Sequence, residues 1–321
     1  MMIVNDWVLT LKTRIVVAVR QMGYWINLKR LEWSLPKPNV REAALIKEFR
    51  THILKQLPSF ASATWVDFVT EFKRYAFFYD PRTFLRWRVV ERTMFVVDQI
   101  YIPNELHALR ASGDWEQLWK AAIIEQNVGC PTPSPHLFTT SGNLIHHAYH
   151  LLKLREAVGV NFDRIETVFE FGGGYGSMCR LLRRVGFHGD YVIYDLPEMT
   201  LLQKFYLSAL EMSFSAGNTC LINALSELGE VITQRADHKK SLFIATWSLS
   251  ETPIPLRNQI LSLVKEFDYY LFCYQPHFDN VDNIEFFERY ADQRCEVEWK
   301  SWRCIEYDAY YLVGKKVAST P

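Results

Sequence analysis

A carboxylate, Glu170, stands two residues ahead of a glycine cluster, Gly172, Gly173, Gly174 and Gly176, and a second carboxylate, Asp195, follows 19 residues after the last glycine. Glycines let a ligand approach bare backbone, and a helix N-terminus just beyond them presents unpaired N–H groups. An acid at the tip of the neighbouring strand can accept both hydroxyl protons of a ribose. The chemistry this pairing implies is the binding of an adenosine-containing cofactor.

Particular elements must hold those residues in place. Thr167–Phe171 is a short apolar and β-branched run, hence a strand, and Ser177–Val185 carries Met178, Leu181, Leu182 and Val185 at helical spacing. Tyr191–Tyr194 reads as a second strand, with Asp195 at its carboxyl end. Further along, helices are expected over Pro197–Leu210, Pro255–Phe267 and Glu285–Tyr290. Strands are expected over Thr219–Asn223, Leu242–Thr246, Tyr269–Tyr274, Cys295–Ser301 and Ala309–Val313. The runs LFIAT and YYLFCY are almost wholly apolar, as strands covered on both faces are. Such alternation predicts an α/β fold with a doubly wound, mostly parallel sheet and ligands at the carboxyl ends of its strands.

The glycine spacing bears on which cofactor is bound. A dinucleotide fingerprint, G-x-G-x-x-G, would need glycine at position 177, which is Ser177; counted from Gly174, its third glycine falls on Cys179. What fits is acid-x-G-x-G-x-G, through Glu170, Gly172, Gly174 and Gly176. This resembles motif I of the class I S-adenosylmethionine-dependent methyltransferases, and Tyr194-Asp195-Leu196-Pro197 resembles the F-D-L-P of small-molecule O-methyltransferases. The resemblance spans roughly residues 137–317. It implies a Rossmann-like sheet of seven strands, the last antiparallel, and S-adenosyl-L-methionine as cofactor. The expected cofactor contacts are Glu170, Gly172, Gly173, Gly174, Gly176, Asp195 and Leu196, with Asn223 at the end of the third strand and Asn143 across the cleft. With EFGGGYG, the TTSGN phrase at 139–143 and the YYLVGKK ending are similar to the putative sugar O-methyltransferases of bacterial polysaccharide synthesis, which implies a sugar or glycan acceptor.

Acceptor chemistry needs a group that takes a proton. Where plant-type O-methyltransferases carry L-H-D after the fourth strand, this chain has Leu249, Ser250 and Glu251, so serine replaces the histidine. An unassisted serine is a poor base. The proton acceptors considered are therefore Glu251, His277 after the fifth strand, and His146 and His147 near the start of a helix expected over Leu144–Leu154. Each also has a plainer role, as a helix cap or a loop side chain. Asp279 and Asp282 suit a solvated loop better than a magnesium site, and no metal is required. Two other functions remain open: a nicotinamide-dependent oxidoreductase, and a noncatalytic scaffold in a polysaccharide-assembly complex.

Composition narrows the field. Among 321 residues, Lys+Arg and Asp+Glu each number 36, so no net field draws nucleic acid or anionic membranes. Six cysteines form no C-x-x-C pair, which predicts reduced, mostly buried thiols without a zinc site. With no secretory or membrane-spanning run, a cytoplasmic enzyme is expected. Residues 1–125 hold few glycines and many helix-spaced aromatics, and VGCPTPSP at 128–135 marks a linker. The expected organisation is a helical N-terminal domain, 1–135, followed by a cofactor domain, 136–321. The first helix places Val4, Trp7, Val8, Leu11, Ile15, Val19 and Met22 on one face, for packing within the chain, a partner subunit or a weak membrane contact.

Overall fold

The computed structural model describes residues 22–55, 63–212, 219–236 and 239–317. The apolar stripe expected from Val4 to Val19 lies outside them. Described first are helices: α1 (22–34), α2 (Val40–Ile53), α3 (Ala63–Phe78), α4 (Arg88–Thr93), α5 (Ile102–Ala111) and the short α6 (Lys120–Ala122). Asn39 starts α2 with a reciprocal cap: its side chain accepts from Glu42 N, and Glu42 accepts from its backbone.

A small hairpin, β1 (Pro133–Ser134) and β2 (Leu137–Ser141), leads into α7 (Gly142–Val158). Then follow β3 (Thr167–Phe171), α8 (Ser177–Arg184), β4 (Asp190–Tyr194), α9 (Pro197–Ala209), β5 (Thr219–Ile222), α10 (Leu225–Ala236), β6 (Ser241–Thr246), α11 (Ile254–Leu263) and β7 (Tyr269–Tyr274). The chain continues through a second tiny hairpin, β8 (His277–Phe278) and β9 (Val281–Asp282), to α12 (Asn283–Asp292), β10 (Val297–Cys304) and β11 (Ala309–Lys316).

Seven strands form one sheet in the order β10-β11-β7-β6-β3-β4-β5. β3 to β7 run parallel, while β11 is antiparallel to both β7 and β10. The expected doubly wound sheet with an antiparallel ending is therefore present. Successive strands leave β3 in opposite directions, β4 and β5 to one side and β6 and β7 to the other. A switch of this kind opens a crevice at the strands' carboxyl ends.

Each sheet face has its own buried cluster. One packs against α10, α11 and α12, through residues such as Phe169, Phe243, Ile260 and Phe287. The other joins the opposite face to the helices that precede it, with Phe72, Trp87, Leu106, Leu144, Met178 and Tyr191 in one group. The expected boundary at 135 thus separates stretches whose buried residues share a core. α2 lies along α9, where Phe49 meets Phe205 at 5.4 Å and Lys73 of α3 reaches the fully buried Glu198 at 2.8 Å. Two thiols, Cys179 and Cys273, are buried, but Cys295 is exposed and Cys130, Cys220 and Cys304 are intermediate, so the expectation of mostly buried thiols does not hold. Among the described residues no helix is long and apolar enough to cross a membrane.

Candidate functional site

The glycine turn sits at the carboxyl end of β3, beside the switch point. Gly172, Gly174 and Gly176 all have positive φ, at 71°, 56° and 94°, the left-handed region that disfavours a side chain. Gly172 N donates to Tyr194 O at 2.8 Å, lashing the turn to the end of β4. A Cβ at Gly172 would collide with Ser248, just beyond β6, and one at Gly173 would sit 3.0 Å from a Glu170 oxygen. At Gly174 the nearest atom to such a Cβ is Met94 Cβ at 3.7 Å, so this stretch of backbone remains approachable. The obstacle to a side chain at Gly174 is its backbone angle, and at Gly172 it is space as well.

Glu170 lies beneath the turn, buried, with Tyr191 Oη donating to it at 2.8 Å. Burial raises its carboxyl pKa to about 8, and the nearby Asp195 adds to the rise. Asp195 follows β4 and is only partly covered. Leu196 N donates to its Oδ1 at 2.7 Å; Gly174 N and Gln203 Nε2 donate to its Oδ2 at 3.1 and 2.8 Å. Burial pushes its pKa up to about 7, and those three donors pull against the rise. Gln203 also donates to Gly174 O at 3.0 Å, while its Oε1 is sealed without a partner. Sequence reasoning missed Gln203, which joins the acid to the turn; its position two helical turns into α9 was the available signal.

The remaining expected cofactor residues divide. Leu196 caps α9 and is half-buried, and Asn223 is exposed just past β5, with its amide donating to Thr200 Oγ1 at 3.2 Å. Asn143 is different: it is buried, donates to Tyr175 Oη at 2.8 Å and accepts from Val96 N at 3.1 Å. Its amide ties α7 to the glycine turn and to the segment after α4. The helix itself runs four residues past the expected end and is capped by Ser141.

The proton-acceptor candidates occupy three places. Ser250 is buried, its single hydroxyl hydrogen shared between Trp247 O at 2.6 Å and Gln275 Oε1 at 2.8 Å, so it acts as a brace. Glu251 next to it accepts from Gln275 Nε2 at 3.3 Å, and burial raises its pKa to about 7. Beneath this loop the buried Arg257 guanidinium donates to Thr252 O, Ser250 O and Asn283 Oδ1 at 2.7, 2.5 and 2.6 Å. With neutral oxygens for partners, burial lowers its pKa to about 10. His277 is exposed, in a surface hollow lined by Arg303, Asp308 and Tyr310, with no glycine-turn residue among its lining.

His146 and His147 lie on α7. His146 is buried, with Nδ1 2.8 and 3.1 Å from the two oxygens of the equally buried Glu105 of α5. His147 has a sealed, unpartnered Nδ1, and burial lowers its pKa to about 3. Trp247, the residue after β6, has φ of 68°, a strained angle for a large side chain, and its N–H donates to Cys273 O at 2.6 Å. Neither Glu105 nor this strain was legible beforehand.

No family model matches the chain, and no curated relative matches it in sequence. Solved structures resemble it in part. The human METTL16 N-terminal domain in complex with SAH aligns over 55% of this chain and 71% of its own, at 7% identity and a TM-score of 0.41. Magnesium protoporphyrin IX methyltransferase from Synechocystis PCC 6803 with bound SAM aligns over 54% and 80%, at 14% identity and 0.39. A SAM dependent methyltransferase from Aquifex aeolicus aligns over 52% and 89%, at 14% and 0.37. At such scores nothing carries over to this chain, and its chemistry rests on the residues above.

Proposed function

We propose that the protein is an S-adenosylmethionine-dependent O-methyltransferase acting on a sugar hydroxyl in glycan or polysaccharide biosynthesis. The observation that carries this reading is the joining of the glycine turn to Asp195 at the switch point. The turn offers open backbone at Gly174, and Asp195 keeps acceptor capacity beyond its three protein donors. These features fit an adenosine-containing group. Asp195 would hold the ribose, Leu196 and Asn223 would border the base, and the turn would accommodate the amino-acid end. Bound there, S-adenosylmethionine supplies an electrophilic methyl group on a positively charged sulfur.

The protein's own contribution is placement and proton removal. Alignment of an acceptor oxygen is worth up to about 7–11 kcal/mol for well-oriented groups, and a positioned base adds about 10²–10⁴-fold. Trp247 with Tyr307, 6.1 Å apart, and Tyr101, 4.5 Å from Tyr307, supply half-buried aromatic faces at the sheet's carboxyl edge that suit a sugar ring. Ser250 is committed to Trp247 O and Gln275, which leaves the proton to another group.

A nicotinamide oxidoreductase fits less well. The dinucleotide fold places a sixth parallel strand where this sheet has the antiparallel β11. Calorimetry is the direct test: S-adenosylhomocysteine should bind and NAD should not. Tight NAD binding without a response to S-adenosylhomocysteine would overturn the proposal. Binding of S-adenosylhomocysteine without methyl transfer to any glycan would favour the noncatalytic scaffold.

A further inference from the structure

We propose that His146, oriented by Glu105, removes the acceptor's proton, Glu105 being a positioning residue and His146 the catalytic base. This rests on the methyl-transfer reading above. A carboxylate facing Nδ1 from two oxygens, at 2.8 and 3.1 Å, favours the tautomer in which Nδ1 carries the hydrogen. The lone pair is then on Nε2. Among the described residues that atom has no hydrogen-bond partner, and it is not sealed as His147 Nδ1 and His150 Nε2 are. A buried histidine held at one nitrogen and open at the other is the arrangement of a general base with its orienting acid.

Its location in the fold agrees. One turn before His146, Asn143 grips Tyr175 of the glycine turn; one turn after it, His150 Nδ1 meets Tyr311 Oη of β11 at 2.6 Å. Tyr311 pairs in register with Cys273, whose carbonyl holds the strained Trp247. The ring thus lies between the cofactor turn and the ends of β6 and β7. Tyr101 and Tyr307 flank it at 5.1 and 5.4 Å, and Tyr307 leads on to Trp247.

Other ionisable neighbours do not compete. Burial lowers His147 and His150 and raises Tyr101, Tyr307 and Tyr311, so all five stay neutral near pH 7. Burial holds the Glu105 carboxyl above its ordinary range, and the contact with His146 opposes part of that rise. In the reaction, the hydroxyl proton passes to Nε2 as the oxygen bonds the methyl carbon. The electron pair of the breaking carbon–sulfur bond remains on sulfur and cancels its charge, and the proton then leaves Nε2 for water.

The test uses ¹⁵N-histidine-labelled full-length protein, with His146→Gln identifying the signal. Wild type should show the Nδ1–H tautomer at His146, and Glu105→Gln should lose it. Calorimetry should give unchanged affinity for S-adenosylhomocysteine in both variants. Transfer of tritiated methyl to a panel of hexosides should fall about 10²–10⁴-fold in His146→Gln, the usual worth of a positioned base. An Nε2–H tautomer in the wild type, a signal indifferent to Glu105→Gln, or full transfer by His146→Gln would overturn the dyad. Failure of the wild type to bind S-adenosylhomocysteine would instead sink the methyl-transfer reading. If the wild type methylates no hexoside, the sugar acceptor is in question and the tautomer still decides the dyad.

Discussion

Alanine at position 172 should unfold the turn from within. The backbone there has φ of 71°, a conformation that costs an L residue about 1–2 kcal/mol. The new methyl would also press into Ser248, meeting its Cβ inside contact distance and its Oγ at 2.9 Å. Ser248 cannot easily yield, because its hydroxyl donates to Phe171 O across the switch point. Overpacking of this kind costs about 1–3 kcal/mol, so Gly172→Ala should lose about 2–5 kcal/mol in all. Gly174→Ala carries only the backbone part, about 1–2 kcal/mol, since its methyl would find Met94 no nearer than 3.7 Å. Urea unfolding of the full chain, followed by circular dichroism, reads both losses. Ser248→Gly removes the clashing carbon, so combining it with Gly172→Ala should return about 1–3 kcal/mol as a coupling term. Equal losses at the two glycines, or no coupling with Ser248, would refute the steric reasoning.

Gly174→Val should leave the protein folded and abolish S-adenosylhomocysteine binding in calorimetry, because a branched side chain covers the approachable backbone. Asp195→Ala should weaken that binding by roughly ten- to a hundredfold, the worth of a charge-assisted bond, while loosening the turn that Asp195 draws to Gln203. Glu170 is held neutral by burial, so the folded state binds the extra proton and wild-type stability should decline between about pH 4.5 and 8. Glu170 contributes at most about 1.4 kcal/mol per pH unit to that slope, beside Asp195 and Glu251, whose carboxyls burial also raises; Glu170→Gln should remove this share in thermal melts, and an unchanged slope would mean the carboxylate is ionised in the fold. Arg257→Ala would strand two buried acceptors, Ser250 O and Asn283 Oδ1, and the part-buried Thr252 O, and should lower stability by at least about 2 kcal/mol in chemical denaturation, more than it alters S-adenosylhomocysteine affinity.

What could be read from the residues was local. The glycine turn, the acid after β4 and the alternation of strands and helices announce themselves because each depends on neighbours within a few positions. Strand and helix edges moved by a few residues, as when β10 proved to run on to Cys304. α10 was not anticipated, having only a thin apolar stripe through Leu228 and Ile232 on a polar background. The contacts that define the acceptor side are distant in sequence: Glu105 and His146 are 41 residues apart, and His150 and Tyr311 are 161. No spacing rule connects such pairs. The partners of Asn143, Tyr175 and Val96, likewise belong to other segments.

The shared buried cluster has a consequence for how this protein comes apart. Phe72 and Trp87 on one side and Met178 and Tyr191 on the other exclude water together, so neither set can open without wetting the other. The helical layer and the sheet should therefore melt in one cooperative transition, and a cut in the 128–135 segment would leave an apolar sheet face bare rather than release two self-sufficient pieces. By mass action, whatever binds the glycine turn would then tighten helices far from it, including α2 and α3.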